Sequence, residues 1–111
     1  MLPTRSRLTG RTASFVAKRG RSIGGAILRI KWAPARGPLS RATVVAGLTV
    51  SKSAVVRNRL KRQCREALRP LLARISPPIN LMVFITKAAI GKSFFELKSE
   101  LEQLLKKARL I

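Results

Sequence analysis

Between Arg57 and Arg69 six cations, Arg57, Arg59, Lys61, Arg62, Arg65 and Arg69, face a single carboxylate, Glu66. Arginine offers a planar fork of donors that pairs bidentately with phosphate and stacks on bases, so the chemistry open to this set is the gripping of a polyanion, with folded RNA well suited. Asn58, wedged between two arginines, can cap a helix start or read a backbone or base edge. The competing reading is a solvated helix face that happens to be basic. Against it stands the whole chain, with 24 Lys and Arg, 4 Asp and Glu and a net charge of +20. Such a balance repels itself unless a polyanion that sheds its counterions binds.

Catalysis by the protein's own side chains has little to work with. Hydrolysis of a phosphodiester needs carboxylates gathered around metal ions or histidine as general acid and base, and the chain has four Glu and no His. Cys64, the sole cysteine, has no histidine to activate it and can form no internal disulfide, so it reads as a small apolar helix residue. No catalytic residue and no metal ligand set is therefore assigned.

The 111 residues suit one domain, taken as 1–111, and an apolar content of 46% sets the chain apart from a disordered basic tail. The longest apolar block, "INLMVFITKAAI", is interrupted by Asn80, Thr86 and Lys87 and is shorter than the ~20 residues of a spanning helix. The opening "MLPTRSRLTGR" carries no apolar core of a secretory signal. A cytoplasmic protein without a membrane partner is the expectation.

The elements that must position the cations follow from periodicity. Residues from about Thr9 to Lys18 suggest a short helix capped by Thr9 or Thr12, with Phe15 and Val16 apolar. "AILRIKWA" alternates, with Leu28, Ile30 and Trp32 on one face and Arg29 and Lys31 on the other. "RATVVAGLTVS" reads as a second strand, paired to the first as a hairpin across the Pro34–Pro38 loop, with Val44, Ala46, Leu48 and Val50 together. "KRGRSIGG" reads as a turn-rich connection.

The cationic segment then adopts a helical period. Val56, Leu60, Cys64, Ala67, Leu68, Leu71 and Ile75 make its inward stripe, Ser53 is the expected cap, and Pro70 is expected to bend or end it. Arg57, Lys61, Arg65 and Arg69 step at i, i+4 along one flank with Arg62 beside them. "SPPINLMVFITK" suits a strand buried on both sides. "KSFFELKSELEQLLKKARLI" is a helix with a Ser93/Glu96 capping box, Phe94, Leu97, Leu101, Leu104, Leu105 and Ala108 inward, and a Glu102–Lys106 pair. Residues 1–92 hold 20 of the 24 cations and one acid, so this last helix is expected to face away from the ligand. Phe15 and Trp32 stay open between core and base stacking.

At "SKSAVVRNRLKRQCREALR" the chain resembles the signature helix of the bacterial ribonuclease P protein subunit, through Arg57-Asn58-Arg59, Leu60-Lys61-Arg62 and Arg65-Glu66. "MLPTRSRL", "KRGRS" and the last helix are similar to the family's opening, first turn and end. The resemblance implies an α/β (α+β) sandwich like the second domain of ribosomal protein S5, with a four-stranded mixed sheet, αβββαβα order and a left-handed crossover at the signature helix. It implies a non-catalytic subunit, a monomer with one RNA, that binds the catalytic RNA and the 5′ leader of precursor tRNA while the RNA hydrolyses with bound magnesium. Carried over by position, Lys52, Arg57, Asn58, Arg59, Lys61, Arg62, Arg65 and Arg69 would face the catalytic RNA. Phe15, with Arg11 and Lys18, would line the leader cleft. The alternative is a small ribosomal or other structural RNA-binding protein, and a cationic membrane-binding chain is a third reading.

Overall fold

The computed structural model describes residues 10–111. The elements run α1 (Gly10–Arg19), β1 (Arg21–Gly24), β2 (Leu28–Pro34), β3 (Arg41–Val45), α2 (Ala54–Leu72), β4 (Ile79–Ile85), a 3-10 turn at Lys87–Ala89 and α3 (Phe94–Lys107). They build one mixed sheet in the order β1-β2-β4-β3. β4 runs antiparallel to β2, with Ile30 opposite Val83, and parallel to β3, with Val44 opposite Val83. The expected β2–β3 hairpin is therefore wrong: β4 lies between them. Its run "INLMVFI" is buried at Ile79, Leu81, Met82, Val83 and Ile85, and a strand apolar on both faces gains most at the centre of a sheet.

Strand alternation sorts the side chains. Leu28, Ile30, Val44, Leu81, Val83 and Ile85 join the main core with the inward stripes of α2 and α3. On the opposite face Ala33 and Met82 form a small second core with Val16 of α1. A Cβ at Gly20 would stand 2.5 Å from the Val16 carbonyl oxygen and 2.9 Å from that of Trp32, so only glycine permits this tight passage from α1 into the sheet.

The long helices follow their sequence signals. Ser53 Oγ accepts from Val56 N–H to cap α2, and Leu60, Cys64, Ala67, Leu68 and Leu71 are buried. Pro70 sits inside the final turn and α2 stops two residues later, so Ile75, though buried, lies beyond the helix. The Ser93/Glu96 capping box starts α3, whose Leu97, Leu101, Leu104 and Leu105 are buried.

Other expectations need correction. β1 forms where the sequence suggests a connection, as a short edge strand with no apolar alternation to announce it. β3 ends at Val45, and a turn in which Val50 N–H donates to the Gly47 carbonyl leaves Leu48 71% exposed. Phe94 lies partly out of the core, at the first residue of α3. α1 starts at Gly10, so Thr12 lies within the helix rather than capping it; Thr9 and "MLPTRSRL" lie outside the described residues.

Candidate RNA-binding surfaces

On α2 a rise of about 1.5 Å per residue spaces Arg57, Lys61, Arg65 and Arg69 roughly 6 Å apart along one side. Arg57, Lys61 and Arg65 are half-buried along the edge of the apolar stripe, where their stems cover core side chains; Asn58, Arg62 and Arg69 are exposed. Arg59 lies about 160° round the helix from Lys61 but, three residues before Arg62, only about 60° from it, at the outer margin of the ridge near Glu66. The six cations with Asn58 thus spread over about 200° of the helix, from half-buried Arg57 to exposed Arg59.

The charges on this ridge are scarcely neutralised by the chain itself. Glu66 lies 3.9 Å from Arg69, whereas Arg57, Arg59, Lys61, Arg62 and Arg65 make no carboxylate pair among the described residues. Arg57 Nη1 donates instead to the carbonyl of Ser51, the residue before the exposed Lys52, at 2.8 Å. Cys64, beneath the ridge, is fully buried; burial pushes its thiol up to about 12 against the opposing pull of Arg65. That thiol is no nucleophile at neutral pH.

The other acids lie on α3. Glu102 pairs with Lys106 at 3.3 Å and with Arg74 at 3.5 Å, the first pair as expected from its spacing, and Glu96 pairs with Lys92 at 3.8 Å. Glu100 is an acid that sequence alone does not single out. Its Oε1 accepts from Ala26 N–H at 3.0 Å, and its Oε2 from Ile27 N–H at 2.8 Å and Leu28 N–H at 2.6 Å. One carboxylate thus holds the β1–β2 turn onto α3, a contact across more than seventy residues that no local pattern announces. No group of three His, Cys, Asp or Glu side chains able to hold a metal occurs among the described residues.

A second basic surface surrounds α1. Phe15 is 57% exposed while its neighbour Val16 is fully buried, so the core reading belongs to Val16. Arg11, Phe15 and Lys18 fall within about 60° of helix turn and form one exposed stripe. Trp32 packs against the main core. The basic face of β2 divides: Arg29 is exposed and donates to Ser22 Oγ at 2.9 Å, while Lys31 is half-buried and turned toward α1.

A four-stranded mixed sheet with one helix on one face and two on the other, bearing a ridge of cations of which only Arg69 pairs with a carboxylate among the described residues, defines a small basic α/β protein with a surface suited to a polyanion. A family model described as Ribonuclease P matches residues 2–109. The chain is 43% identical over 117 residues to the ribonuclease P protein component of a Synechococcus strain, covering all of this chain and 87% of that one. It is 34% identical over 114 residues to that of a Pseudanabaena strain, covering 100% and 97%. Among solved structures, the Staphylococcus aureus RNase P protein superposes with a TM-score of 0.83 at 20% identity, over 95% of this chain and 96% of that one. The RNase P protein from Thermotoga maritima gives 0.80 at 24%, over 91% and 96%. The chain belongs to the family of bacterial ribonuclease P protein components, and with it to tRNA processing. Among the described residues no helix is long and apolar enough to cross a membrane.

Proposed function

We propose that this chain is the RNA-binding, non-catalytic subunit of ribonuclease P, one copy per catalytic RNA. In this reading Lys52, Arg57, Asn58, Arg59, Lys61, Arg62, Arg65 and Arg69 bind the catalytic RNA along α2, with Arg59 at the outer margin beside Arg62. The stripe of Arg11, Phe15 and Lys18 on α1 takes the 5′ leader of precursor tRNA, with the ring stacking on an unpaired base and the cations on phosphates. Hydrolysis belongs to the RNA and the magnesium it binds; the protein supplies charge and position. The observation that carries the reading is the α2 ridge of a family member, where Arg57, Arg59, Lys61, Arg62 and Arg65 have no carboxylate partner among the described residues and only Arg69 pairs, with Glu66.

The test is the binding of a bacterial ribonuclease P RNA by the Arg57→Ala, Arg62→Ala double variant. Removing one phosphate-neutralising side chain should lower the slope of log K against log salt by about one, so the double variant should fall by roughly two. An unchanged affinity and slope would remove α2 as the RNA-binding element. Co-purification with ribosomal subunits in place of precursor tRNA would favour the structural RNA-binder.

A further inference from the structure

Among the described residues α1 is a ten-residue helix, too short to hold itself in water, with Val16 buried against Ala33 and Met82, and with Ala13 and Ala17 partly buried in the same cluster as Val45 and Phe84. A polar contact also ties its last turn to the sheet. Lys31, half-buried on β2, sends its ammonium to the Ala17 carbonyl oxygen at 2.9 Å and over the Phe84 ring at 5.6 Å from the centroid. The acceptor lies where helix carbonyls lack intrahelical partners and the helix dipole is negative, so a cation there is favoured twice over. The ring of Phe84 adds a second attraction from below.

We infer that Lys31 is a positioning residue: its ammonium is held within the protein to fix α1 over the sheet, and so sets the pose in which Arg11, Phe15 and Lys18 meet single-stranded RNA. The inference rests on the leader reading for its consequence in binding, while the tether itself is a property of the free protein. Lys31 therefore differs from Arg11 and Lys18, the exposed cations of the α1 stripe. Truncating a phosphate-binding cation deletes an ion pair with the RNA; truncating Lys31 instead frees α1.

Lys31→Met keeps the stem over Phe84 and removes the charge, and Lys31→Arg restores a donor. In the free protein, hydrogen exchange of the backbone amides at residues 16–20 should quicken roughly tenfold in Lys31→Met, without a matching change in β4, and return toward the parent value in Lys31→Arg. In the holoenzyme reconstituted with a ribonuclease P RNA, Lys31→Met should bind precursor tRNA about tenfold more weakly or worse, from the loss of one charge-assisted hydrogen bond. Affinity for mature tRNA should hold and the salt slope for precursor should not change. A slope reduced by about 0.7 with unchanged amide exchange would make Lys31 a direct phosphate ligand and overturn the inference. Unchanged exchange and unchanged affinity would overturn it too. If the parent holoenzyme itself fails to distinguish precursor from mature tRNA, the leader reading falls, and the exchange data alone decide the tether.

Discussion

The carboxylate of Glu100 gives the sharpest test of how this basic chain uses its few acids. Three backbone N–H groups converge on it, and those of Ile27 and Leu28 belong to buried residues at the start of β2. A hydrogen bond to a charged acceptor contributes about 1.5–3 kcal/mol net, and a buried donor left without a partner costs about 1–3 kcal/mol. The Ala26 bond is exposed and the three share one carboxylate, so they do not add in full. A loss of about 3 kcal/mol is expected for Glu100→Ala, against a typical domain stability of about 5–15 kcal/mol. Glu100→Gln should recover only part of it, because the amide nitrogen that replaces one oxygen faces a donor. Gly25→Ala should destabilise through the same contact, since its Cβ would stand 2.8 Å from the Glu100 carboxyl carbon. Urea unfolding followed by circular dichroism measures all three, with Glu102→Gln as the reference for a carboxylate held by ion pairs to exposed cations. Equal midpoints for Glu100→Gln, Glu102→Gln and the parent would refute the reasoning.

Two further outcomes follow from the titrating groups. Cys64 should resist thiol reagents in the native protein at pH 8 and react fully in urea, because the buried thiol ionises only near about 12; rapid labelling without denaturant would show that α2 does not pack as described. Lys106, and after it Arg74, hold the Glu102 carboxyl below its ordinary 4.5. A folded value below the unfolded one stabilises above the unfolded value and fades as pH falls through the folded one. With no histidine in the chain, the urea midpoint should stay nearly level from about pH 8 to 5 and fall below about 4.5, with Glu102→Gln flattening that fall. A variant that keeps the full acid dependence would contradict the assignment.

What the sequence disclosed was mostly local. α2 and α3 could be read because cap, apolar stripe and charged flank repeat within a few residues, and both side-chain caps form as their spacing implies. Strand pairing was less legible. Neighbours in sequence usually pair, which favoured β2 with β3, but the doubly apolar β4 takes the centre and separates them. Phe15 and Val16 are adjacent, about 100° apart on α1, and nothing local decides which of them meets the sheet. The roles of Glu100 and Lys31 depend on partners 72–74 and 14 residues away, so composition could count these charges without locating them. Of the site, the α2 cations were visible as a pattern. The place of Arg59 at the ridge's outer margin needed only the helical angle, whereas the withdrawal of Lys31 from the exposed set needed the fold.

The central claim is that this chain serves ribonuclease P through RNA binding and leaves the chemistry to the RNA. It is tested most directly by cleavage of precursor tRNA at low magnesium by a bacterial ribonuclease P RNA, with and without the protein. Correct 5′ cleavage restored by the protein, and none by the protein alone, is the predicted result; tight RNA binding with no restoration of cleavage would contradict it.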